Sequence, residues 1–350
     1  MFIKWTGISA LHQQHPVVQH GQSTRQRGGV MRQGMRSARV TTFTSEPGRI
    51  LWPTLARARS GQVVLLSSCE GQEIRRWDMF TGRMLWCSVD AWSANALAVA
   101  SPPGGNPVVA VATEDGVLRL DALTGAELDG YEMAADDTIW DVATGILPDG
   151  RAFIAGAGHC GFRVYRWDAA TGEPLGPPLV GHTTCVKAVT AITLPDGTAL
   201  IASEDEAGRI LRWNAASGQP YGNPIHGPGD YNMQLVSLAL NDGRVMLASL
   251  DMNGTLSRWD AVTGDPIGPL MRPGPETRLA CATAAGGGVL FIAPYGGPIR
   301  LWDAVSGEVL GAPLPGTGPA ALSCSDGSVS LATRAGDAEM IVRRLVDPPR

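Results

Sequence analysis

The 350-residue sequence predicts an all-β fold assembled from seven copies of one unit. Three observations carry the prediction. First, a strand-like run ending in Trp-Asp, with Thr-Gly or Ser-Gly two residues on, keeps returning. It occurs as RRWDMFTG (75–82), LRLDALTG (118–125), RVYRWDAATG (163–172), LRWNAASG (211–218), SRWDAVTG (257–264) and RLWDAVSG (300–307), with a worn copy, RRLVD, at 343–347. Second, the markers Asp78, Asp121, Asp168, Asn214, Asp260, Asp303 and Asp347 lie 43, 47, 46, 46, 43 and 44 residues apart. A fixed period of about 40–45 residues marks a repeat architecture. Third, charged residues are only 17% of the chain while Gly (44) and Pro (25) are abundant, which suits short strands joined by tight turns.

Each unit reads in the same order. A Gly-containing turn comes first, as in PDG (148–150), PDG (195–197) and NDG (241–243), where Gly and Asp supply the positive φ of a hairpin. An apolar run follows, such as RAFIAGA, TALIASE or RVMLASL. These runs are apolar on both alternating faces, which predicts strands covered on two sides. After a polar hinge (TEDG, 113–116; SEDEAG, 203–208) comes the strand ending in Trp-Asp. The D-x-x-T/S-G segment is then a second hairpin turn, its carboxylate accepting backbone N–H bonds two residues on. A short outer strand closes the unit, and the Pro residues of GEPLGPPL (172–179) suit an edge position. Trp77, Trp167, Trp213, Trp259 and Trp302 are expected as wedges between units.

Residues 1–39 stand apart as a polar, Gly/Gln-rich segment expected to be a disordered basic arm, or a non-native extension with translation starting at Met31 or Met35. The repeat domain is assigned to 40–350. The arm carries Lys4, Arg25, Arg27, Arg32, Arg36 and Arg39 and no acid, a charge of +6, so the remainder stands at −11. An acidic body is a poor surface for a polyanion, which argues against nucleic acid as a partner.

Cys69, Cys87, Cys160, Cys185, Cys281 and Cys324 are scattered, with no CxxC pair. That pattern predicts free thiols in a reducing cytoplasm and no zinc site. No run approaches the ~18 apolar residues of a membrane span, and MFIKWTGISALHQQH lacks a signal-peptide h-region. No GxSxG, P-loop, HExxH or EF-hand spacing occurs, so the sequence predicts no catalytic residue, no metal and no cofactor. Candidate partner-binding residues sit in loops leading into the first strand of each unit: Trp92, Asp136, Asp137, Trp140, His182, Lys187, Tyr231, Met233 and Arg278. Aromatic and Arg side chains are those most enriched at binding hot spots.

Four short strands per unit, Gly181-His182 ahead of a first strand and Trp-Asp closing the third resemble the WD-repeat β-propellers, and WDAATGEPLGPPLVGH is similar to the actinobacterial members. The resemblance implies a seven-bladed β-propeller of four-stranded antiparallel blades used as a rigid platform for other proteins. It also implies a His–Ser–Asp–Trp tetrad from His182, Ser203, Asp205 and Trp213. The copies DMFTGRMLW and DALTGAELDG are similar instead to the docking motif of quinoprotein-type propellers. Ring closure is expected from residues 40–52 as the missing outer strand of the last blade, because GRILW (48–52) echoes GRMLW (82–86). The function expected is a monomeric, non-catalytic, cytoplasmic scaffold for a protein or peptide. The alternatives are a quinoprotein-like or hydrolase-type propeller enzyme, and a stand-alone sensor domain of a kinase/NTPase regulatory system.

Overall fold

The computed structural model describes residues 36–346, apart from 45–49, 59, 70–72, 89–93, 134–136, 228–231, 276, 295–296 and 336–338. The chain forms seven antiparallel sheets, each the blade of a propeller. The inner strands are Ile50–Arg57, Ala96–Ala100, Ile139–Ile146, Val186–Thr193, Asn232–Ala239, Thr277–Ala284 and Thr317–Ser323. Each packs beside the inner strand of the next blade, and the seventh packs beside the first, so the ring closes.

The apolar runs are the second strands. Val108–Thr113, Ala152–Gly158, Ala199–Asp205 and Val245–Asp251 are buried at every position, because a blade has a neighbour on each face. The core is accordingly seven separate apolar clusters, one at each junction between blades. Trp77, Trp167, Trp213 and Trp259 are wedged there, each at most 6% exposed.

Outer strands are the weakest elements. They shorten to Leu179–Val180 and Ile225–His226 in blades 3 and 4. In blades 5 and 6 they reduce to bridges such as Trp259 with Pro266 and Trp302 with Val309, so these sheets have three full strands. Pro174, Pro220 and Pro266 hold the bridging position in blades 3, 4 and 5 and supply no ladder donor, as an edge tolerates.

The ring is latched by Arg36–Thr44, which pairs with Glu339–Val346 as the outer strand of blade 7. An N-terminal strand thus supplies the missing outer strand, as expected, but its bounds are 36–44 and not 40–52. Residues 50–52 belong to the inner strand of blade 1, where Trp52 lies opposite Ser68, and are no outer strand. Arg36 to Arg39, assigned above to the arm, lie in the latch.

The D-x-x-T/S-G turns are alike. Asp78, Asp121, Asp168, Asn214, Asp260 and Asp303 each accept two backbone N–H bonds through Oδ1, from the second and third residues on, at 2.8–3.2 Å. The following glycine takes φ between 74° and 83°, a region that costs other residues. Asp347 lies outside the described residues.

These turns also join the blades. Trp86, in the outer strand of blade 1, donates its indole N–H to the Ala122 carbonyl at 3.1 Å, and a Cβ on Gly125 would come within 2.8 Å of its ring. In the next four junctions an arginine takes the place of the indole. Arg119, Arg166, Arg212 and Arg258 reach across to the carbonyls of Ala169, Ala215, Ala261 and Ala304 at 2.7–3.0 Å. They lie over Gly172, Gly218, Gly264 and Gly307, where a Cβ would meet guanidinium nitrogen at 2.5–3.4 Å. All four are nearly buried, and burial pulls their pKa down. One docking socket, formed by an aspartate-capped turn, thus accepts either indole or guanidinium.

Candidate functional site

The loops that enter inner strands, and those between second and third strands, share one end of the channel, the mouth face. The hairpin turns and the Asp turns share the other, the turn face. Antiparallel blades require this division.

At the mouth, the inner strands of blades 1, 3, 4 and 5 each carry a β-bulge at the same place, in blade 1 between Ile50 and Trp52. In the other three the register slips between Ile139 and Asp141, between Val186 and Ala188, and between Asn232 and Gln234. Their extra residues are Trp140, Lys187 and Met233, one repeat apart. Bulges re-aim a side chain and recur at barrel rims, so three candidates named from the sequence occupy one equivalent position. Arg278 lies at the corresponding start of the blade 6 inner strand, where no bulge occurs. Burial lowers its pKa.

Trp140 and Lys187 meet across the junction of blades 3 and 4. Lys187 Nζ sits 4.5 Å from the Trp140 ring centroid, a cation–π distance. It also pairs with Glu206 at 2.9 Å and donates to His159 Nδ1 at 3.4 Å. The His159 ring stacks on Trp140, centroids 5.0 Å apart. Burial, then the Lys187 charge, lowers the His159 pKa, which favours the neutral ring that accepts from the lysine.

Asp137 supports this cluster from below. It is buried, and accepts from the amides of Cys160 (2.8 Å) and Gly161 (3.1 Å) and from the Tyr165 hydroxyl (3.2 Å). It therefore shapes the 159–162 loop and presents no carboxylate to a partner. At the tip of that loop stands Phe162, 38% exposed, with φ of 54°. It has the only positive φ of a non-glycine among the described residues. Backbone strain of this kind collects at functional loops.

His182 is not a surface residue, which corrects its place among the binding candidates. Its Nδ1 lies 2.9 Å from Asp205 and its Nε2 2.7 Å from Ser203, whose hydroxyl also accepts from Trp213 Nε1 at 3.2 Å. The expected tetrad is thus formed and buried in blade 4. Burial alone would raise the Asp205 pKa, but the His182 contact and the amides of Arg209 and Ala207 hold it below the usual value. Trp92, Asp136 and Tyr231 lie outside the described residues, as does the side chain of Met233.

Sequence reasoning missed His159, Phe162 and Glu206. The available signal was position: all three follow second strands and so share the mouth with the candidates. Among the described residues no group of His, Cys, Asp and Glu is placed to hold a metal ion. No helix is long and apolar enough to cross a membrane.

Residues 10–221 match the family model described as outer membrane protein assembly factor BamB. No curated protein matches the chain. Among solved structures, it is similar to the structure of U3-55K and to the crystal structure of the RRP9 WD40 repeats. Each has a TM-score of 0.68 and 14% identity, covering 89% of this chain and 99% of the other. At that identity the likeness is one of fold, so WD40 propellers share the architecture while the family match is to the BamB model.

Proposed function

The chain belongs to the family described as outer membrane protein assembly factor BamB, and we propose that it is a non-catalytic platform binding a protein or peptide on its mouth face. The observation that carries this reading is the equivalent placement of Trp140 and Lys187 by bulges, with Phe162 exposed on the 159–162 loop of the same face. Side chains held by separate strands of one ring lose little entropy on binding. An exposed phenylalanine and a half-buried Trp/His stack supply the aromatic anchors that hot spots favour. A reducing compartment is supported by Cys87, Cys160, Cys185, Cys281 and Cys324, all of which are free thiols.

A second reading, a quinoprotein-like enzyme, draws on the Trp86 docking. That docking joins blades and forms no ligand site. A quinone bearing carboxylates would need converging cations, and Lys187 at the mouth is committed to Glu206.

The test is site-specific photo-crosslinking in the native host. A benzophenone residue replaces Phe162 in one variant and Val262, exposed on the turn face, in another. A discrete adduct expected from position 162 and absent from 262 would fall about tenfold with Trp140→Ala in the same chain. Equal adducts at both positions, or none at 162, would remove the mouth-face reading.

A further inference from the structure

Arg76, which donates to the Leu123 carbonyl at 3.1 Å beside the docked Trp86, shares one register with the four docking arginines. Arg76, Arg119, Arg166, Arg212 and Arg258 lie opposite Leu66, Ala110, Ala155, Ala202 and Ala248. At that position blade 7 has Val342, opposite Ala332. The outer-strand position held by Trp86 in blade 1, opposite Arg76, is held in blade 7 by Thr41, opposite Val342. Both residues that could dock onto the turn of blade 1 are therefore too short to do so.

The consequence is a cavity. A space of about 440 Å³ opens on the turn face between blades 7 and 1, walled by Val342 and Thr41 on one side and Asp78, Met79 and Phe80 on the other. The turn itself is as well formed as its counterparts, with Asp78 capping it at 2.8 and 3.0 Å and Gly82 at φ 74°. Met79 is the counterpart of Ala122, Ala169, Ala215, Ala261 and Ala304. Its carbonyl receives no side-chain donor from any described residue.

We propose that this socket receives a tryptophan side chain from a peptide segment of a partner protein, at a site separate from the mouth face. The molecule itself displays what fits such a turn: an indole at Gly125 and guanidinium groups at four other glycines. Charge selects between them here. The walls carry Arg57, Arg76 and Arg344 against Asp78 and Asp326, and Arg344 pairs with Asp326. A further cation would meet this excess, whereas an indole brings the same N–H donor without charge and offers its face to arginine. Size agrees, since Met79 and Phe80 replace the Ala-Ala or Ala-Val of the arginine-filled turns and widen the apolar wall. In the bound state the indole N–H donates to the Met79 carbonyl, as Trp86 donates to that of Ala122.

The experiment titrates the full chain with an acetylated, amidated Gly-Gly-Trp-Gly-Gly peptide by calorimetry, beside its Gly-Gly-Ala-Gly-Gly analogue. A single exposed side chain predicts Kd on the order of 1 mM for the first and no saturation for the second. Val342→Arg supplies the missing docking group in cis and should weaken binding at least about tenfold. Thr41→Trp fills the same space from the other strand and serves where the first variant fails to fold. Cys324 lines the cavity, so its alkylation, followed by peptide mass, should slow with the Trp peptide and not with the Ala one. No saturable binding to the full chain overturns the proposal. Undiminished binding by the filled variants overturns it equally.

Discussion

Glu204 shows what one buried group can do to this molecule. It is the penultimate residue of the second strand of blade 4, fully buried, and accepts from the Ser249 hydroxyl at 2.9 Å. Burial lifts its pKa from 4.5 to about 8, with the charges of Asp205 and Asp251 adding to the rise and Ser249 opposing it. The folded state therefore holds a proton that the unfolded chain releases above its ordinary carboxylate pKa. Stability from this group is full below about pH 4.5, falls as pH rises, and levels off above about pH 8, a loss on the order of 5 kcal/mol. His159 works the other way: with its pKa lowered from 6.5, its contribution to stability rises with pH on the acid side and is complete above about pH 6.5. Glu204→Gln keeps an acceptor for Ser249 and removes the proton, so urea unfolding at pH 5 and pH 8 should show the loss in the parent and not in the variant. Equal pH slopes would sink the assignment. Among the docking arginines, Arg166→Met keeps the apolar stem and orphans the Ala215 carbonyl, which should cost about 2 kcal/mol in the same assay. A change below about 0.5 kcal/mol would mean that the docking contributes little.

At the scale of elements, the sequence disclosed what local chemistry dictates and concealed what crosses between blades. The Asp–Gly turns were legible because cap and positive φ both lie within five residues. The doubly covered second strands were legible from unbroken apolar runs. Arg166 and its counterparts were in plain view two residues before each marker, yet their acceptors lie 49 residues away or thereabouts, beyond any local pattern. Trp140 and Lys187 were picked out as residues of loops leading into the first strand of a unit. Their meeting depended on bulges, which a single sequence does not announce. The bounds of the latch were misplaced because GRILW echoes an outer strand, whereas closure chose Arg36–Thr44, whose register runs from Arg36 opposite Val346 to Thr44 opposite Glu339. Deleting 36–44 should bare the edge of Glu339–Val346, lowering the melting temperature by several degrees and promoting association through the unpaired strand. An unchanged melt and a monomeric profile on sizing would mean that the ring closes without it.

The whole ring is a chain of seven junctions, and they are not equal. A closed array unfolds from its weakest interface, because each blade is held only by its two neighbours. Five junctions have an indole or a guanidinium in the socket, whereas the junction of blades 7 and 1 has Val342 and Thr41 beside a cavity. Its apolar cluster has five buried members among the described residues, against eight to thirteen at the other six. Opening should therefore begin there. In hydrogen exchange at rising urea, the amides of Glu73–Trp77 and Glu339–Val346 should lose protection before those of Arg163–Asp168, as low-stability units do. Val342→Arg should delay that loss selectively, bringing the closing junction toward the others while leaving blade 3 unchanged. Simultaneous loss of protection in all seven blades, unaltered by the substitution, would show instead that the ring opens as one cooperative unit and that the unfilled socket contributes nothing to its stability.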